Sequence, residues 1–158
     1  MPNTYTQLFV HIVFTVRGRE NLIPAKHREN IHKYITGIVT KRKQKLLSIF
    51  AMPDHVHVFV GLTGDIAVSD LVRDIKAGSS KYITDNNLVK GKFNWQTGYG
   101  AFSYSKSQID KVNHYILNQE QHHKKRSFKE EYIEFLDKFG VDYDKKYLFK
   151  WIELPLEK

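Results

Sequence analysis

The chain has 158 residues, no cysteine, 41% hydrophobic and 13% aromatic side chains, and a net charge of +8 from 25 Lys and Arg against 17 Asp and Glu. That length can bury a sizeable core in one domain spanning residues 1–158, and the absence of cysteine excludes disulfides, thiolate metal sites and cysteine nucleophiles together. No signal-peptide pattern and no apolar run of bilayer length is found, so a cytoplasmic protein without membrane contact is expected.

The basic excess favours a polyanionic partner, because each neutralised phosphate releases condensed counterions. A solvated basic surface with no partner fits that charge equally well.

Residues 7–15, QLFVHIVFT, are apolar and β-branched and predict a buried strand. Pro24 opens a helix with Ile31, Ile35, Ile38 and Val39 on one face and a basic end, Lys41-Arg42-Lys43. Residues 46–51 (LLSIFA) predict a second strand, Met52-Pro53-Asp54 a short break, and residues 55–62 (HVHVFVGL) a third strand. A helix through Leu71, Val72 and Ile75 follows, then an Asn-rich loop at 85–87 and a fourth strand over 98–104. Ser105 to Gln108 matches a capping box and starts a helix with Ile109, Val112 and Ile116 as its apolar stripe. A second box, Ser127 to Glu130, opens a short helix with Tyr132, Phe135, Leu136 and Phe139, ended by Gly140. No repeat, low-complexity tract or linker divides the chain. The order predicts an α+β fold, a ferredoxin-like or RRM-like split βαβ antiparallel sheet with helices on one face and additional C-terminal helices. The other face is expected to stay free, as a surface for ligands or nucleic acid.

Along residues 55–60, Val56, Val58 and Val60 point toward the helix-covered core, and His55, His57 and Phe59 point the opposite way. Two imidazoles two residues apart on a strand lie close enough to share a metal ion. H-x-H alone is a weak motif, and two surface histidines on a half-buried strand would look the same. Tyr115 and Gln119, four apart on the next helix, share one face at the edge of the core. One tyrosine among nine is ordinarily packing, and a helical glutamine is ordinarily solvated. The alternative makes Tyr115 a nucleophile and the Gln119 carbonyl oxygen a metal donor; a phenol that ionises near pH 10 then needs a nearby cation. His122 and His123, beside Lys124-Lys125-Arg126, are read as contacts to backbone phosphates rather than as rival ligands.

Four blocks occur in order between residues 52 and 123. They are Met52-Pro53-Asp54-His55-Val56-His57, Ser69-Asp70-Leu71-Val72-Arg73-Asp74-Ile75-Lys76, Trp95-Gln96-Thr97-Gly98-Tyr99-Gly100-Ala101-Phe102, and Tyr115-Ile116-Leu117-Asn118-Gln119 followed by His122-His123. Together they resemble the single-domain tyrosine transposases of the smallest bacterial insertion sequences, the insertion-sequence-two-hundred-like group of the HUH endonucleases. The resemblance implies that His55 and His57 are the metal pair, Gln119 the third protein ligand and Tyr115 the nucleophile, with Mg2+ or Mn2+ as the ion. It also implies cleavage of single-stranded DNA near hairpin ends, a 5′-phosphotyrosine with release of a 3′-hydroxyl, and rejoining by the reverse reaction. Homodimers are implied as well, in which the tyrosine helix can complete the partner's site. The phosphotyrosine conserves the phosphodiester energy, in keeping with the absence of a Walker-type loop. A domesticated or other HUH nuclease, or a non-catalytic RRM-like single-strand binding module, are the alternative readings. Arg73, Lys76, Lys81, Lys41, Lys43, Lys124 and Lys125 are candidate DNA contacts. Trp95, Tyr99 and Phe102 either stack on bases, at roughly 1–3 kcal/mol each, or belong to the core.

Overall fold

The computed structural model describes residues 3–152. Its strands are β1 (Leu8–Thr15), β2 (Lys45–Ala51), β3 (His55–Leu62) and β4 (Gly100–Tyr104). Its helices are α1 (Arg28–Lys41), α2 (Val68–Asp85), α3 (Ile109–Leu117), α4 (Gln119–His122) and α5 (Phe128–Lys138), joined in places by short 3-10 turns. The strands form one antiparallel sheet in the order β2-β3-β1-β4, the split βαβ arrangement expected.

The two central strands carry side chains on alternate faces, and both faces are apolar. Ile12 and Phe14 of β1 and Val56, Val58 and Val60 of β3 pack with Ile31, Ile35 and Val39 of α1 and Leu71, Val72 and Ile75 of α2. Trp95 and Phe93 extend this core, each edge-on to its neighbours, so Trp95 is a core residue here. Phe9, Val13, Phe59 and Phe102 point the other way.

That second face is not free, contrary to the sequence expectation. Val112 and Ile116 of α3 pack on Phe59, and Phe128, Tyr132, Phe135 and Leu136 of α5 pack on Val13 and Phe102. The cause is the same periodicity that predicted these helices: a stripe of four large apolar side chains on α5 gains roughly 1.5–3 kcal/mol for each one buried. The apolar face of the sheet receives it.

Both capping boxes form. Ser127 Oγ accepts from the Glu130 backbone N–H while the Glu130 carboxylate accepts from the Ser127 N–H, which sets where α5 starts. No helix among the described residues is long and apolar enough to cross a membrane.

Gly100, the first residue of β4, determines how closely α5 can approach. A Cβ there would come within 2.7 Å of the Tyr132 hydroxyl and 2.8 Å of its ring. Gly100→Ala is therefore expected to lift Tyr132 off the sheet and destabilise the fold by about 1–3 kcal/mol. At about 2–4 °C per kcal/mol for a domain of this size, thermal unfolding will show it; an unchanged melting temperature would mean that the Tyr132 contact is not tight.

Candidate active site

The buried polar groups of the sheet gather where β3 begins. His55 follows the break at residues 52–54, whose backbone is tied back by Met52 N–H to His55 O (2.8 Å) and Val16 N–H to Asp54 O (3.0 Å). The register pairs His55 with Thr15 and His57 with Val13, so both imidazoles lie on the α5-covered face, and both are fully buried. Phe128 stacks on His55 with ring centroids 4.0 Å apart.

The tyrosine helix is not one continuous rod. α3 ends at Leu117, Asn118 leaves helical geometry (φ −101°, ψ 24°), and α4 restarts at Gln119. Asparagine competes for backbone hydrogen bonds and is a weak helix former, and here its side chain bonds His114 Nε2 at 2.9 Å. The interruption turns Gln119 inward to full burial and brings His123 against His55, with centroids 4.7 Å apart.

Four residues from three elements thus converge. His55 Nε2, His57 Nε2, His123 Nε2 and a Glu131 carboxylate oxygen all lie within 4.8 Å of one another. Glu131 Oε1 is 3.1 Å from His57 Nε2, 3.2 Å from His123 Nε2 and 3.5 Å from His55 Nε2. Gln119 Oε1 joins them, 2.9 Å from His123 Nε2 and 3.4 Å from His55 Nε2, while its amide Nε2 donates to the Tyr115 carbonyl.

The outer nitrogens of the rings fix their tautomers. His55 Nδ1–H donates to the Asp54 carboxylate (2.7 Å) and His123 Nδ1–H to the Arg126 carbonyl (3.0 Å). Both partners can only accept, so each neutral ring turns a bare Nε2 inward. His57 Nδ1 pairs with His11 Nε2 at 2.7 Å, and the two rings stack. His11 is fully buried and its Nδ1 has no partner. Such outer contacts are what orient metal-binding imidazoles, and the converging nitrogens and oxygens are a donor set suited to a divalent transition ion.

Electrostatics agree. Burial works to lower the pKa of His55, yet Asp54 and then Glu131 hold it above the usual histidine value, so positive charge is favoured there. Burial also works to raise the Glu131 pKa, but the charge of His57 and the close approach of His123 and His57 keep it well below the ordinary carboxylate range. Burial keeps His57 below its ordinary value.

Tyr115 stands at the rim of this cluster. Its hydroxyl donates to Glu131 Oε2 and accepts from Arg126 Nη2 at 2.8 Å. Burial, then the Glu131 charge, push the phenol's pKa above its ordinary value, opposed by Arg126. A cavity of about 120 Å3 opens beside the ring, with His11, Tyr104, Lys111, Arg126 and Glu131 among its walls.

Of the residues singled out from sequence, His55, His57, Gln119 and Tyr115 come together here. His123, read there as a phosphate contact, points into the cluster instead. Glu131, Asp54, His11 and Arg126 went unassigned. Glu131 had a legible signal: it occupies the buried stripe 128, 131, 132, 135, 136 of an amphipathic helix. His11 is likewise a histidine inside an apolar strand. The candidate DNA cations are scattered. Arg73 pairs with Asp70 and Asp74, and Lys81 with Asp85. Lys76 donates to the carbonyls of Gln96 and Gly98, and burial lowers its pKa to about 8. Lys41 and Lys43 border a shallow recess with Asp65, and Lys124 and Lys125 lie in the turn before α5. Phe102 is buried against Phe135, whereas Tyr99 is 37% exposed.

Residues 4–119 match the family described as "Transposase IS200 like". The ISDra2 transposase TnpA of Deinococcus radiodurans is 23% identical over 118 residues, covering 72% of this chain and 84% of that protein. A crystal structure of a candidate transposase from Deinococcus radiodurans R1 superposes with a TM-score of 0.58 at 20% identity, over 74% of this chain and 94% of the other. The structure of a REP-associated tyrosine transposase bound to a REP hairpin superposes with a TM-score of 0.56 at 15% identity, over 99% of this chain and 94% of the other.

His11→Phe keeps a ring against His57 and removes a buried polar atom that has no partner. Because it also takes away the partner of the buried His57 Nδ1, the metal-free protein is expected to lose about 1–3 kcal/mol of stability, while Mn2+ affinity measured by calorimetry falls about 10–100-fold. Undiminished affinity would mean that His57 needs no such support.

Proposed function

Because the chain belongs to the IS200-like transposase family, we propose that it is the transposase of a small insertion sequence, cutting and rejoining single-stranded DNA at hairpin-bearing ends with Tyr115 as nucleophile. The observation that carries this reading is the position of the Tyr115 hydroxyl at the rim of the buried histidine cluster, bound by Glu131 and Arg126.

In this reading Tyr115 Oη attacks a backbone phosphorus, a bond from phosphorus to the tyrosine oxygen forms, and the phosphorus–O3′ bond breaks. The 5′-phosphate stays on the tyrosine and a 3′-hydroxyl leaves. Attack by a 3′-hydroxyl on the phosphotyrosine reverses the step, so no nucleotide need be hydrolysed. The Tyr115 hydroxyl already donates a hydrogen bond to Glu131 Oε2, which can take its proton, and the departing 3′ oxygen takes up one proton in exchange. Arg126 lies where it can offset negative charge on the phenol oxygen and the incoming phosphate. His55, His57 and Gln119 would hold a divalent ion, Mg2+ or Mn2+, whose contribution is to polarise the phosphate.

The DNA partner is supported by the hairpin bound to the structurally similar REP-associated transposase and by the net charge of +8. Lys41, Lys43, Lys124 and Lys125, at the end of α1 and in the turn before α5, are the proposed phosphate contacts. The expected homodimer would carry two such sites.

Incubating the protein with hairpin-bearing single-stranded DNA and Mn2+, then resolving it on a denaturing gel, is expected to give a protein–DNA adduct that Tyr115→Phe cannot form. An equal adduct from Tyr115→Phe removes Tyr115 from the role. Binding with no adduct from either protein would instead indicate an RRM-like module.

A further inference from the structure

The family match ends at residue 119, yet two of the groups that converge on His55 and His57 lie beyond it. We propose that His123 and Glu131 complete the metal site begun by His55, His57 and Gln119, giving a centre of three imidazoles and two side-chain oxygens that selects a first-row transition ion over Mg2+. The inference rests on the metal-dependent reading above and adds to it the ligands contributed by the C-terminal segment and the class of ion.

Lone pairs carry the argument. His55 and His123 each spend their only ring proton on an outside acceptor, the Asp54 carboxylate and the Arg126 carbonyl. Their Nε2 atoms therefore face the cluster as acceptors whenever the rings are neutral. What they face are also acceptors. His123 Nε2 is 2.9 Å from Gln119 Oε1 and 3.2 Å from Glu131 Oε1; His55 Nε2 is 3.4 Å and 3.5 Å from the same two oxygens. The Gln119 amide cannot be reversed to relieve this, because its oxygen would then face the Tyr115 carbonyl. Buried acceptors crowded together repel one another unless positive charge sits among them.

Protons can supply that charge only by making buried imidazolium ions. A divalent cation satisfies all the donors at once and leaves the rings neutral. The burial of Glu131 points the same way: an unpaired carboxylate in an apolar helix stripe costs several kcal/mol, whereas a metal-bound one is neutralised. Its second oxygen accepts from Tyr115, so one carboxylate ties the ion site to the hydroxyl.

The donor set also selects among ions. Mg2+ prefers all-oxygen coordination and keeps its waters, whereas imidazole suits Mn2+, Fe2+, Co2+ and Zn2+ progressively better than it suits Mg2+. Five protein donors leave a six-coordinate ion one place for a phosphate oxygen.

The test uses the full chain stripped of metal. Mn2+ is titrated in by calorimetry, and bound against free Mn2+ is read by electron paramagnetic resonance, with Mg2+ as competitor. Wild type is expected to bind one Mn2+ per chain, with Mg2+ unable to displace it at about 100-fold excess. His123→Asn and Glu131→Gln are each expected to weaken Mn2+ about 10–100-fold, with circular dichroism confirming that both variants fold. Wild-type affinity in both folded variants, or ready displacement by Mg2+, overturns the proposal. If those variants bind normally and His57→Ala does not, the histidine pair stands and only the C-terminal ligands fall. If wild type binds no Mn2+, a proton-held cluster replaces the metal site, and the metal-dependent reading fails with it. Should Glu131→Gln not fold, His123→Asn alone decides, because its side chain lies nearer the surface.

Discussion

The inward nitrogens of His55 and His123 and the oxygens of Gln119 and Glu131 are acceptors buried together on one side of a β-sheet, and they can coexist only if positive charge lies among them. Much of the second face is arranged around that constraint. Asp54, His11 and the Arg126 carbonyl hold the outer nitrogens of the rings. The interruption at Asn118 swings Gln119 and His123 inward. α5 then closes over the top and brings a carboxylate to the centre.

Closure is driven by ordinary packing and opposed by the polar groups it covers. Phe128, Tyr132, Phe135 and Leu136 bury a continuous stripe on β1 and β4, worth several kcal/mol together. That is of the same order as the cost of burying one unpaired carboxylate, so α5 can dock only because Glu131 finds partners on arrival. His11 shows the opposite economy: an unpartnered buried nitrogen lowers stability and is retained beside a histidine whose orientation matters. The placement of Tyr115 has the same character. Burial favours the protonated phenol, while Arg126 and the adjoining cluster offer the positive charge that ionisation needs.

Residues 4–119 carry the family match, and the REP-associated transposase aligns over nearly the whole chain. The C-terminal helix and its flanking turn are therefore part of a fold shared with at least that relative. Here they contribute His123, Arg126 and Glu131 to the buried site, and they cover the sheet face that a simple split βαβ unit would leave to solvent.

Local patterns in the chain were enough to determine a large part of this. Strand alternation placed His55, His57 and Phe59 on one face, and the capping boxes at Ser105 and Ser127 and the apolar stripes marked α3 and α5 close to their observed limits. The fold class was legible, as was the pairing of His55 with His57 on one strand face and of Tyr115 with Gln119 across one helical turn; that the two pairs meet, 64 residues apart, was implied only by the family resemblance. What the tertiary structure decided is what meets across long separations. His11 lies 46 residues from His57, and Glu131 lies 74 residues beyond it. The positions of both hinted at burial, but no local pattern says which polar group a buried histidine or glutamate will face. The docking of α5 settled that, because the second face of the sheet was too apolar to remain in water.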